Sequence, residues 1–251
     1  MLPTTDQRLA ARTPDGKAPL VFLQNWEHLL LLHWKVDPDQ IQATLPPGLH
    51  VDTTGDDAWL SIVPFCMSWA RPRRLPALPL LSHFLQLNVR TYVYDDEGKP
   101  GIWFYSLDCS SGPAAWVARK FFKLPYFQAR MKAAITDDVH YTCRRADRYG
   151  GAPYGSYRLS VYRYSGQGQI RIPEDPESLP FFLLERYYFY AWDGQKVRRG
   201  QVAHAPYRYQ EADVATFDTI PLCLDDLPLP STPPDLKHYV DKVKVDLYGL
   251  Q

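Results

Sequence analysis

The stretch FLQLNVRTYVYDDEGKPGIWFYSLDC, residues 84–109, decides the fold class. Two runs rich in β-branched and aromatic residues, 84–94 and 102–109, flank the turn-forming cluster DDEGKPG. Such runs favour a pleated, half-buried surface and the insert reverses the chain, so the segment predicts an antiparallel hairpin. In an extended strand successive side chains point to opposite faces. Gln86, Asn88, Arg90 and Tyr92 therefore share one face, and Leu85, Leu87 and Val89 the other. An unpaired guanidinium is costly in a dry core, so the polar row either meets solvent or lines a polar cavity. In the second run Trp103, Tyr105, Leu107 and Cys109 alternate with Phe104, Ser106 and Asp108. Both faces are aromatic at one end, which favours burial on both sides and a barrel interior.

Working outward, residues 21–36 suit one or two strands, although periodicity alone leaves a helix open. Asp37-Pro38 reads as an N-cap followed by proline at the first helical position, opening a short helix to residue 44 that the LPPG at 45–48 stops. Strands follow at 49–52 and 58–67. The proline-rich segment 70–82 predicts a long surface loop. SSGP at 110–113 starts a helix over 114–122 that ends before Pro125. Further strands are expected at 127–134, 139–146 and 154–164, with a connector at 147–151. A compact helix over 174–185, a hairpin with arms 187–192 and 196–202, a proline-rich connector at 226–234 and a last strand at 240–248 complete the pattern. Residues 1–19 are polar and turn-rich and predict a flexible N-terminal arm, while 20–251 read as one domain without internal repeats.

Composition agrees with a mainly β fold. Among 251 residues there are 17 Tyr, 11 Phe and 7 Trp, side chains that suit strands and pocket walls. Lys+Arg and Asp+Glu balance at 28 each, which argues against a nucleic-acid partner. Cys66, Cys109, Cys143 and Cys223 form no CxxC pair and read as isolated thiols of a cytoplasmic protein. No stretch has the length of a signal peptide's apolar region or of a membrane span, so no membrane partner is expected.

Several chemistries lack their motifs: GxGxxG after a strand, GxxxxGK[ST], HExxH and GxSxG are all missing. The seven histidines show no ligand spacing, so neither a metal nor a cofactor is expected. Arg119, Lys120 and Lys123 read first as surface cations. His204 and Glu185 read as structural hydrogen-bonding groups or pocket residues.

The ordered pieces WEHLLLLHWKVDPDQIQATLPPGLHVD (26–52), AWLSIVPFCM (58–67), LQLNVRTYV (85–93), GIWFYSLD (101–108), ARKFFKLPYFQARM (118–131) and LLERYYFYAW (183–192) resemble the YqjF-like family DUF2071, a branch of the acetoacetate decarboxylase-like superfamily. The resemblance spans about residue 20 to near the C terminus. It implies a closed antiparallel β-barrel with a few short helices. In the decarboxylase branch a lysine in a GxPKK-like run forms a Schiff base with a β-keto acid, its pKa lowered by a neighbouring cation and a dry pocket. Here the corresponding run is Lys123-Leu124-Pro125-Tyr126-Phe127, with Tyr and Phe in place of the two lysines, and Gln86 stands where a carboxylate would be. Neither ring can form an imine, so Schiff-base decarboxylation is not expected.

The leading expectation is a barrel that binds a small organic molecule carrying a carboxylate or carbonyl. Arg90 and Arg119 would grip the anion. Asn88, Gln86, Tyr105 and Tyr126 would orient it, and Trp59 and Trp103 would wall it. One alternative is a lyase- or isomerase-like enzyme using Tyr126, His204 or Glu185 as acid and base. Another is a structural module with a filled interior, and assembly into homo-oligomers is open.

Overall fold

A computed structural model describes residues 2–78, 82–145 and 158–251. The strands are β1 (Leu20–Val36), β2 (Leu49–Val51), β3 (Ala58–Pro72), β4 (Phe84–Asp95), β5 (Pro100–Cys109), β6 (Tyr126–Ile135), β7 (Val139–Arg145), β8 (Ser160–Arg171), β9 (Tyr188–Trp192), β10 (Val197–Ala203), β11 (Tyr209–Thr216) and β12 (Leu236–Tyr248). Short helices punctuate them: α1 (Thr5–Ala10), α2 (Pro38–Gln42), α3 (Gly112–Phe122), α4 (Leu179–Leu184) and α5 (Ile220–Leu224). The expected caps hold α2 and α3. Asp37 accepts from Asp39 N–H and Ser111 from Ala114 N–H, each with proline in the first turn.

The twelve strands of the described residues belong to one sheet that closes on itself twice. One circuit runs β5-β6-β7-β8-β11-β12-β1-β3-β4 and returns to β5. The other leaves β5 through β9 and β10 and rejoins at β12. Strands β12, β1, β3, β4 and β5 are thus a wall common to both circuits, and it is buried on both faces. On one side Leu30, Leu32, Leu60, Ile62, Leu87 and Val89 pack in a dense core against β6, β7 and β8. On the other Leu29, Leu31, Val63 and Phe65 meet Phe189 and Val202 from β9 and β10. The predicted hairpin of β4 and β5 is antiparallel, Gln86 opposite Cys109 and Tyr94 opposite Pro100. Two seams are parallel instead of antiparallel, β5 with β6 and β5 with β9. The first follows from topology, because α3 carries the chain across between β5 and β6, the connection a parallel pair requires.

Other expectations need correction. Residues 5–10, within the expected arm, form a helix with a capping box at Thr4, and Arg8 grips buried Asp52 through both terminal nitrogens, at 2.7 and 2.8 Å. Behind that helix Gln201 Nε2 donates to the Ala11 and Thr13 carbonyls. The helix expected over 174–185 is confined to α4, because Asp175 accepts from Glu177 N–H in a turn and Ser178 supplies the cap. Strand β3 continues through Pro72, into the expected loop. Strand β11 and helix α5 were not foreseen; Glu211 and Asp213 are poor strand formers, and pairing with β8 and β12 overrides that preference. The expected connector at 147–151 and the beginning of the strand expected over 154–164 lie outside the described residues; the described part of that strand is β8.

Candidate functional site

On the β9–β10 side the wall faces a cavity of about 520 Å³, a volume suited to a small ligand. Two non-glycine residues with left-handed backbone, His28 (φ 52) and Trp69 (φ 53), set which side chains line it. Phe22, Gln24 and Trp26 in β1 line the cavity before His28, and Leu29 lines it after. In β3 the lining residues are Val63, Phe65 and Met67 before Trp69, then Ala70 and Pro72. Each irregularity shifts the alternation by one, as a bulge does. The remaining boundary comes from β9 and β10, from α3, and from residues 75–78.

Strand β4 places Gln86, Asn88 and Arg90 in this cavity, while Leu87 and Val89 enter the dense core behind. The β4–β5 register shifts between Val89 and Arg90, a further bulge beside the polar row. Gln86 Nε2 donates to the Tyr126 hydroxyl at 2.6 Å, and Gln86 Oε1 has no partner among the described residues. Asn88 Oδ1 and Arg90 Nε are also buried without hydrogen-bond partners among the described residues. Arg90 is only 6% exposed, and among the described residues no carboxylate pairs with it. Its guanidinium carbon lies 5.8 Å from the Tyr92 ring centroid.

Arg186, between α4 and β9, lines the same cavity and lies 5.1 Å from the same ring. It donates to the Phe182 carbonyl and, at 2.6 Å, to Asp52, but Nη2 finds no partner among the described residues. Asp52 is already held by Arg8, so one carboxylate serves two guanidiniums. Burial pulls Arg186 down to about 10, against the upward effect of Asp52. Burial also lifts the Tyr126 and Tyr207 phenols well above their ordinary range, which keeps them neutral donors. Behind Arg90, His33 Nδ1 is 2.8 Å from Ser61 Oγ, which is 3.0 Å from the Tyr92 hydroxyl. His33 is pushed well below its ordinary value by burial, then by His238 and Arg90, and stays uncharged. The cavity thus has a large apolar surface and a cationic inner end whose nearest counter-ion is over-subscribed.

Of the residues singled out from sequence, Gln86, Asn88, Arg90 and Tyr126 come together on this cavity. The others do not. Arg119 is exposed on α3, where Nη1 donates to the Tyr126 carbonyl at 3.1 Å. Tyr105 packs against the opposite, dense core and bonds Thr44. Trp59 lies with Tyr92 and Phe182 in a separate packed cluster, and Trp103 packs against another. Glu185 is tied to Tyr187, the Tyr207 N–H and Arg12, and His204 stacks 4.6 Å from Tyr187. Neither lines the cavity, so Tyr126, Glu185 and His204 do not share one reaction point. Arg186, Tyr207 and Trp26 were missed; in sequence Arg186 follows Glu185 and reads as its ion-pair partner.

The family model of DUF2071, described as "Uncharacterized conserved protein", matches residues 23–244. The chain belongs to this family. Within DUF2071, the Uncharacterized protein YqjF of Bacillus subtilis (strain 168) is 34% identical over 239 residues, covering 95% of this chain and 94% of that protein. Solved structures share the fold at much lower identity. Acetoacetate decarboxylase from Legionella pneumophila superposes with a TM-score of 0.60 at 11% identity, over 100% of this chain and 96% of that one. The enduracididine biosynthesis enzyme MppR, complexed with pyruvate, gives 0.59 at 11% identity over 96% and 93%. The DUF2071 chain therefore has an acetoacetate decarboxylase-like fold. None of its lysines lines the cavity.

Proposed function

We propose that the cavity binds a small organic acid, its carboxylate at Arg90 and its apolar body along the Phe65 and Phe104 side. The observation that carries this reading is Arg90 itself, a nearly buried guanidinium facing a cavity without an acidic partner among the described residues. A carboxylate would supply the missing charge and accept two parallel hydrogen bonds. Asn88 and Gln86, each with an unpaired oxygen, would accept from a ligand hydroxyl. The structural relative complexed with pyruvate supports a 2-oxo acid as the first probe. Imine chemistry is not part of the proposal: by the family resemblance Tyr126 and Phe127 replace the lysines, and the lining holds no other amine.

The test is a thermal-shift and calorimetric screen of pyruvate, longer 2-oxo acids and 2-hydroxy acids, with matched primary amides as controls. Acids, and not amides, should raise the melting temperature. An equal response to both, or none across the panel, would remove the proposal. Borohydride reduction with pyruvate followed by intact mass should give no adduct; a lysine adduct would restore the imine mechanism.

A further inference from the structure

The overall charge is zero, yet two stretches that contribute residues to the cavity lining contain no carboxylate. Between residues 58 and 94 there is no Asp or Glu, nor between 109 and 136. From the first come Arg71, Arg73 and Arg74; from the second, Lys120 and Lys123. None of these five forms an ion pair with a described residue. Among the described residues Arg71 donates to the Arg73 and Leu75 carbonyls, and Lys120 stands 4.7 Å over the Trp116 ring. Interleaved with them are Trp69, Leu75, Leu78, Trp116 and Phe121, each more than half exposed. Leu75 and Leu78 line the cavity, and α3, which carries Trp116 and Phe121, lines it with Val117 and Phe122. The left-handed backbone at Trp69 turns its indole outward.

We infer that this rim is a docking face for an anionic lipid bilayer, with the cavity opening turned toward the headgroups. Cations attract an anionic surface, and tryptophan and phenylalanine insert at the interface between headgroup and acyl chain. Charge complementarity selects the partner's sign. Exposure selects its kind: large side chains standing out from two separate segments would need a matched pocket each on a protein, whereas a bilayer requires only depth. The expectation of no membrane partner rested on the lack of a signal peptide's apolar region and of a spanning stretch, and no helix of the described residues is long and apolar enough to cross a membrane. A surface contact needs neither.

The test is co-sedimentation of the full chain with vesicles of phosphatidylcholine alone and of equal parts phosphatidylcholine and phosphatidylglycerol. Binding is expected to the second only, and to fall at high salt. Arg73→Gln with Arg74→Gln should weaken it on the order of tenfold or more. Trp116→Ala with Phe121→Ala, exposed positions whose unchanged thermal melting verifies the fold, should weaken it about tenfold. Equal binding to both vesicles, binding to neither, or wild-type binding by both variants overturns the inference. So does retention on polyglutamate through the same arginines without vesicle binding, which would mark an acidic protein partner. No readout uses a cavity ligand, so this inference and the carboxylate reading fail independently.

Discussion

Replacing Arg90 by methionine should make the protein more stable and deaf to carboxylates. Methionine follows the same path along the Tyr92 ring but carries no charge. A buried ion without a partner carries a penalty of several kcal/mol, and here the cavity gives partial access to solvent, so removing the charge should stabilise the fold by about 1–3 kcal/mol. For a chain of this length that corresponds to a rise in Tm of about 2–6 °C. Losing one partner of a buried charge pair should cost binding about 2–5 kcal/mol, or roughly thirtyfold to several thousandfold. Scanning calorimetry of both proteins with and without the best acid from the screen measures the two effects together. A variant that melts lower than wild type, or that still responds to the acid, would show that Arg90 is a structural cation with a partner and refute the reasoning.

Other predictions concern the framework. His238 is 2% exposed, and burial, then Arg171, pulls it from 6.5 to about 4. The unfolded chain therefore binds a proton that the fold refuses between those values, and stability should fall as pH drops from 6.5 to 4, by up to about 3 kcal/mol from this group. His238→Phe should flatten that acid limb in urea titrations at pH 7.5 and 4.5; Asp108, raised to about 6 by burial, acts oppositely in both proteins and cancels in the comparison. An unchanged limb would count against a neutral buried imidazole. Gly101→Ala would place a Cβ 2.7 Å from the Tyr190 ring and 2.8 Å from the Tyr188 carbonyl, forcing the β5–β9 seam apart. A loss of about 2 kcal/mol is expected in urea unfolding, and a neutral variant would argue that the seam is loose. Arg8→Ala leaves Asp52 to Arg186 alone and should cost about 2 kcal/mol with faster proteolysis near residue 13; wild-type resistance would mean that α1 is held by other contacts.

How much could be read beforehand follows from the physics of alternation. The β4–β5 hairpin was legible because the period of two along β4 is unbroken over the polar row, and a polar row between two apolar ones has few places to go. Its convergence with Tyr126 was accessible through the family resemblance. Alternation fails at His28 and Trp69, where one left-handed residue moves the following side chains to the other face. Nothing about those residue types announces it, since such backbone favours glycine. The prolines of 70–82 read as a loop, although its first residues continue β3 and Ala70 and Pro72 line the cavity. Arg186 escaped because local sequence offers Glu185 as a partner, whereas the fold supplies Asp52 from 134 positions away. The rim's charge was hidden in the average: five unpaired cations become a feature only once two distant acid-free segments meet.

The wall shared by the two strand circuits makes β4 two interleaved texts. Leu87 and Val89 address a filled chamber that provides cohesion, while Gln86, Asn88 and Arg90 address a hollow one to which the proposed function assigns selectivity. Because neighbouring residues serve different chambers, the lining of the hollow one can be changed at every second position without touching the packing that keeps the chain folded. A scaffold arranged in this way separates the problem of standing up from the problem of choosing what to hold.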